Sequence, residues 1–414
     1  MSPYTSETKV NSKSEPQTIA TIKYQIDDGI RHTSEQAWNR GYTTAPNIKQ
    51  VPIFYPLHDL RAVVFPSDVK GGSGQDTDWS WSHSAEILKK LGFTAVKFDP
   101  KWAKVDEEVR AGDYDDLQTL EDTYFPEVKD SILKLTGASR VFITNSIVRR
   151  GDAPVKKPGN GTAPITTNDK DKKGVPDNYK ASDETRPTHL ASSDNSRPAR
   201  GAHIDYTPVG ARRSIRRWRP DIFKAALEAG IIEAEDKICA EAQVNAQDKA
   251  SNAIIEAKYN ADGQLGPRYA AYSVWRPMRT VTRDPLAMAP RWSFPEGGAL
   301  GFLGYESRML AAPSMGGDFL RELESVIISE EDARAYESSS GAKVASGLEN
   351  PQWYYIPEQK PDEVIVLKFF DSAALGGGQV SGDVGGAPHA SPDIGDAAHG
   401  PARWSIEVRC IAVW

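Results

Sequence analysis

Cysteine is almost missing from this 414-residue chain: only Cys239 and Cys410 occur. Two thiols cannot build a disulfide framework or a cysteine-rich zinc site, and so low a count fits a reducing compartment. Long apolar runs are missing as well. No segment approaches the roughly 18 to 20 consecutive apolar residues of a membrane helix, and the start, MSPYTSETKVNSKSEP, has no apolar signal core. These absences predict a soluble, cytoplasmic protein, in which the Asn-Gly-Thr sequon at Asn160 never meets a glycosyltransferase. A basic surplus is lacking too: 50 Lys and Arg face 57 Asp and Glu, a net charge of -7, the wrong sign for a protein that rides on phosphate backbones. Nucleic acid and membrane are therefore not expected partners, and a small molecule is. The oligomeric state is not legible.

What is present is enough for a globular core. Hydrophobic residues make up 39% and charged residues 26% of the chain. Residues 1–18 are polar and without period, and read as a disordered tail. From 19 to 150 the pattern is mixed α and β. TIATIKYQI from Ile19 is a strand, SHSAEILKKL is a short amphipathic helix, and GFTAVKF is a strand again. The acidic run Asp106 to Asp122 reads as a solvated loop or helix face. In PEVKDSILKLTGASRVFITNSIVR a helix stops at Gly137 and a β-branched strand starts at Arg140. Residues 151–200 turn to Lys, Asp, Asn, Pro, Gly, Ser and Thr, too poor in apolar area to offset chain entropy, and predict a disordered insertion or lid. Residues 201–414 open with a helix-rich segment near 219–259. The strands YAAYSVWRPM, EVIVLKFF and WSIEVRCIAVW follow, separated by Gly-, Pro- and Asp-rich turns, the pattern of a sandwich, barrel or jelly roll.

Histidine is scarce enough for position to carry information, with seven in the chain. His203-Ile204-Asp205 is an H-x-D, and on a strand residues two apart share a face. An imidazole and a carboxylate side by side are two-thirds of the facial triad that holds iron(II) and leaves open positions. Alone the motif is weak, because about one H-x-acid is expected by chance at this composition. Downstream, His389 lies in the Gly-rich stretch GGAPHAS, and Arg403-Trp404-Ser405 begins the strand WSIEVRCIAVW. Arg403, Ser405, Glu407 and Arg409 fall on one face of that strand, while Trp404, Ile406, Val408 and Cys410 fall on the other. A guanidinium and a hydroxyl two residues apart suit a carboxylate. A solvated edge strand would alternate in the same way. Taken in order, H-x-D, distal His and R-x-S describe a metal and an acidic co-substrate meeting at one barrel mouth.

That order resembles iron(II)- and 2-oxoglutarate-dependent oxygenases, and more narrowly the fungal hydroxylase/desaturase family related to gibberellin desaturase. The similarity is carried by AHIDYTPVGARRSIRR, YAAYSVWRPM, DPLAM, WYYIPEQKPDEVIVLKFFDS, APHAS and PARWSIEVR. Three departures stand out: the long polar insertion, Ser273 where Asn is usual, and Gln352 where His commonly precedes the Trp-Tyr-Tyr run. The resemblance implies a mainly β fold with flanking helices around a double-stranded β-helix, or jelly-roll, core. It implies iron(II) on His203, Asp205 and His389. It implies 2-oxoglutarate chelating that iron, with its far carboxylate on Arg403 and Ser405, and dioxygen in the last position. The implied activity is oxidation of a small organic molecule in secondary metabolism by hydroxylation, desaturation or ring closure such as aziridine formation. Abundant arginine near the mouth points to an amino acid or an acid derived from one.

Several alternatives stand beside this. Tyr272, Trp275, Arg276, Trp353 and Tyr355 line a substrate pocket or belong to the core, as does Tyr269. His399 with Arg409 competes with His389 and Arg403, though no hydroxyl follows Arg409 two residues on. His58-Asp59 has the spacing of a turn rather than a same-face pair. The arginines 212, 213, 216, 217 and 219 read as a solvated face or a salt-bridge network. A catalytically silent jelly-roll binding protein and a zinc hydrolase using the same triad are the rival functions.

Overall fold

The computed structural model of the chain describes residues 18–29, 49–64, 81–98, 113–151, 185–190, 198–309, 319–338, 348–376, 378 and 381–414. The expected tail before Thr18, Asn160, the start of the acidic run and most of the polar stretch lie outside these residues.

The strands in chain order are β1 (Ile19–Asp27), β2 (Gln50–Asp59), β3 (Phe93–Lys97), β4 (Arg140–Arg150), β5 (Thr188–Leu190), β6 (His203–Ile204) and β7 (Tyr269–Pro277). There follow β8 (Ala287–Met288), β9 (Leu300–Met309), β10 (Phe319–Ser329), β11 (Trp353–Tyr355), β12 (Glu363–Asp371), β13 (His389–Ala390) and β14 (Trp404–Val413). One sheet runs β1-β2-β11-β8-β13-β6-β10-β9, and a parallel pairing of β1 with β10 closes its first seven strands into a ring. The other sheet runs β3-β12-β7-β14-β4-β5. The chain is mainly β with flanking helices, a jelly roll. Among the described residues no helix is long and apolar enough to cross a membrane.

The second sheet is covered on both faces, which explains its continuous apolar strands. Every residue of β7 and of β12 is buried. On the outer face Tyr272, Val274, Ile406, Val408 and Val366 pack with Val128 and Ile132 of the helix Phe125–Thr136. That helix carries Pro126 in its first turn and ends at Gly137, whose φ of 70° is the left-handed cap expected from the sequence. The inner face of β7 carries Ala271, Ser273 and Trp275.

Two expectations are refined. The segment 219–259 is not one helix but three, Pro220–Glu228, Ile231–Glu241 and Ser251–Lys258. Gly230 breaks the first from the second with a φ of 73°, and the turn after Glu241 passes through Gln243 at a φ of 56°. The polar stretch also contributes structure, because Thr188–Leu190 pairs in parallel with β4. The arginine cluster is a salt-bridge network: Arg213 meets Glu306 at 2.7 Å, Arg216 meets Glu235 at 2.8 Å, and Arg219 meets Asp221 at 2.6 Å.

Candidate active site

One sheet brings the sequence-distant histidines together. β6 and β13 are two residues long and pair antiparallel with His389 directly opposite His203, their ring centroids 4.3 Å apart. Asp205 follows β6 and is buried. Its Oδ1 lies 3.9 Å from His203 Nε2, and its Oδ2 lies 3.6 Å from His389 Nε2. One donor atom from each of the three residues falls within 4.8 Å of the others.

The imidazoles are arranged to offer Nε2. The Nδ1 of His203 lies 2.8 Å from the Gly201 carbonyl and that of His389 lies 3.4 Å from the Ala387 carbonyl. A carbonyl only accepts, so each Nδ1 carries the hydrogen and each Nε2 keeps its lone pair. Burial, and next the facing His389, push His203 down to about 4, so its ring is neutral near pH 7.

The facing wall comes from β14. Arg403, Glu407 and Arg409 line the same cleft as His203 and His389. Arg403 Nη1 donates to the Asp284 carbonyl at 2.8 Å and to Ser391 Oγ at 2.9 Å. Its Nε is buried without a hydrogen-bond partner, and so is Ser405 Oγ. Burial, then the neighbouring Arg149, push Arg403 down to about 9, the mark of a buried cation short of an anion. Two imidazoles and a carboxylate suit iron(II), and the orphaned donors of Arg403 and Ser405 suit a carboxylate.

Strand register sorts the other candidates. Trp275 opposes Glu407 across β7 and β14 and lines the cleft. Tyr272 and Arg276 fall on the opposite face. Tyr272 packs in the outer core, and Arg276 donates from Nε to the Pro361 carbonyl at 2.8 Å, with its guanidinium 5.5 Å from the ring of Phe98. Trp353 and Tyr355 belong to the core of the closed ring, where Trp353 Nε1 donates to the Tyr24 hydroxyl at 3.1 Å. His399 is exposed and reaches Glu358 at 3.5 Å, away from the triad. His58 sits at the end of β2, its ring 5.2 Å from that of Tyr354, and Tyr269 donates to Glu235 at 2.7 Å in the helical layer.

Sequence reasoning passed over Arg149, Leu286, Leu367 and Ser391, which lie on the cleft wall with Ser273. Ser273 was legible, being one of the three family departures and two residues from Trp275. Arg149 was not, because nothing in VRR tells which arginine faces inward.

Comparison with known proteins finds relatives over most of this chain. The family model described as "Oxidoreductase/YMDC permease-like domain" matches residues 77–232 and 329–413. The oxidoreductase chry3 of Gibberella zeae is 30% identical over 87% of this chain and 89% of its own length. The gibberellin cluster GA4 desaturase of Gibberella fujikuroi is 28% identical over 87% of this chain and 92% of its own. The Fe(II)/2-oxoglutarate-dependent dioxygenase nvfI of Aspergillus novofumigatus is 23% identical over 78% and 77%. A solved structure of the iron and alpha-ketoglutarate-dependent endoperoxidase NvfI has the same fold, with a TM-score of 0.50 at 20% identity over 97% of this chain and 99% of that one.

Proposed function

Because this chain belongs to the fungal iron(II)- and 2-oxoglutarate-dependent oxygenase family, we propose that His203, Asp205 and His389 hold its iron and that Arg403 and Ser405 hold the far carboxylate of its 2-oxoglutarate. The enzyme is a dioxygenase of secondary metabolism that oxidises a small organic substrate. Iron(II), 2-oxoglutarate and dioxygen are its cofactor and co-substrates. One observation supports the residue assignment above the rest: His203 and His389, whose metal-type donors lie within 4.8 Å of each other and of Asp205, line one cleft with Arg403, whose buried Nε, like the Ser405 hydroxyl, has no hydrogen-bond partner.

When bound, the iron and 2-oxoglutarate together activate dioxygen for hydrogen abstraction, with succinate and carbon dioxide as co-products. The protein supplies position. The backbone carbonyls of Gly201 and Ala387 fix the two rings by holding their Nδ1 hydrogens. Asp284 and Ser391 hold Arg403 Nη1, so the guanidinium is oriented before any carboxylate arrives. Trp275, Leu286 and Leu367 make the apolar part of the wall, which keeps water from the reacting face. Arg149 is on its charged part and suits a polar or acidic substrate group. A cytoplasmic location fits the free, buried Cys239 and Cys410.

Anaerobic addition of iron(II) and 2-oxoglutarate to the purified protein tests the assignment. The expected result is a weak visible charge-transfer band that disappears in Asp205→Ala and Arg403→Met. A fully iron-loaded protein without the band overturns it. Succinate formed in air and none formed under argon separates this chemistry from hydrolysis at a zinc-bound water.

A further inference from the structure

The cleft holds a charge array for which the assignment above has no role. Arg409 Nη2 lies 2.9 Å from Asp205 Oδ2, and its Nε donates to Glu407 Oε1 at 2.5 Å. Arg409 and Asp205 are both buried. The guanidinium lies 5.7 Å from the ring of Phe369, which stacks on His389 at 5.5 Å and 23°. Arg409 is thus fastened on two sides, by a carboxylate of its own strand and by an aromatic ring that also steadies a histidine of the triad.

The position of the carboxylate raises a choice that this array decides. Oδ1 faces His203 Nε2 and Oδ2 faces His389 Nε2, at 3.9 and 3.6 Å. Both oxygens of Asp205 therefore border the space between the imidazoles, and an unrestrained carboxylate can give a metal one oxygen or two. A second oxygen would take a position that 2-oxoglutarate or dioxygen needs. We propose that Arg409, held by Glu407, is a positioning residue that commits Oδ2 of Asp205 and so makes this carboxylate a one-oxygen ligand. The ion pair is buried and close, at 2.9 Å, hence strong enough to compete for one oxygen without removing the other. A guanidinium close to a ligand carboxylate also opposes the metal's charge. Losing it therefore leaves metal binding intact or tighter, while co-substrate binding falls. A merely structural ion pair gives no such split.

The inference rests on the triad assignment, and cobalt(II) with 2-oxoglutarate under argon separates the two. If the unaltered protein binds no cobalt(II), the triad assignment fails. If it does, Arg409→Gln is expected to bind cobalt(II) at least as tightly, with a changed visible spectrum. It should bind 2-oxoglutarate about tenfold more weakly, the effect typical of outer partners of a metal ligand. Arg409→Lys, which keeps one cationic donor, should recover 2-oxoglutarate binding to within about threefold. Equal binding of both ligands by Arg409→Gln and the unaltered protein overturns the proposal, as does parallel loss of both that lysine does not rescue. Should Arg409→Gln not fold, Glu407→Gln carries the test, since it leaves the guanidinium in place but unfastened. It should weaken 2-oxoglutarate binding and spare cobalt(II), and unchanged 2-oxoglutarate binding there overturns the proposal.

Discussion

Ser405 and Arg403 each bury a donor atom that finds no hydrogen-bond partner, Ser405 Oγ and Arg403 Nε. An unsatisfied buried hydroxyl costs roughly 1–3 kcal/mol, and a hydrogen bond to a charged acceptor returns about 1.5–3 kcal/mol. Removing the hydroxyl therefore acts in opposite directions on the empty and the loaded protein. Ser405→Ala should leave the stability of the unliganded protein unchanged or raise it by about 1 kcal/mol, read by urea denaturation. The same variant should bind 2-oxoglutarate about tenfold more weakly, read by calorimetry with cobalt(II) present. A serine with a purely structural role would lose stability instead. Both residues were legible in the sequence because alternation along RWSIEVRC separates the arginines, serine and glutamate from the tryptophan, isoleucine, valine and cysteine. The partner that Arg409 makes with Asp205 was not, since a contact between strands of different sheets leaves no trace in local pattern.

At the scale of elements, the triad depends on two of the shortest strands. β6 and β13 have two residues each, below any periodicity that a sequence can display. Their pairing is secured by close approach of backbone. A Cβ built on Gly386, three residues before His389, would lie 2.0 Å from the Phe369 carbonyl oxygen and 3.0 Å from Ile204 Cγ2. Only glycine lets β12 pass behind both histidine-bearing strands at this distance. Gly386→Ala should cost about 1–3 kcal/mol through overpacking and should weaken cobalt(II) binding by displacing β13 from β6. Gly395→Ala is the contrast. At a φ of 54° with no heavy atom within 4 Å, it should cost about 1 kcal/mol of strain and leave cobalt(II) binding alone. Denaturation curves paired with cobalt(II) titrations read both. Elements with strong local signals were legible, as the helix from Phe125 to its glycine cap and the strand from Arg140 show. The run after Pro220 was legible as helical but not as three helices, because its Ala, Glu and Lys content masks the turn at 242–250.

Across the whole molecule, the strands could be named from sequence but their partners could not. The ring closes where β1 meets β10 in parallel, pairing Gln25 with Ile327, a contact across three hundred residues that no local pattern reports. The candidate site sits across that architecture, with His203 and His389 on the ring sheet and Arg403 and Ser405 on the other. On the proposed assignment, a metal held by the first and a co-substrate that reaches from that metal to the second would together tie the two sheets to each other. Neither ligand does so alone. A ligand present at a hundredfold its dissociation constant stabilises the native state by about 2.7 kcal/mol, and for domains of this class each kcal/mol raises the melting temperature by about 2–4 °C. Cobalt(II) and 2-oxoglutarate given together under argon should therefore raise the melting temperature by several degrees, and by more than the sum of the two given singly. Scanning fluorimetry of the full chain reads this directly. The excess should vanish in Arg403→Met while the cobalt(II) increment survives, because that substitution unties the second sheet and leaves the triad whole. Additive shifts in the unaltered protein would mean that the co-substrate does not bridge from the triad to β14.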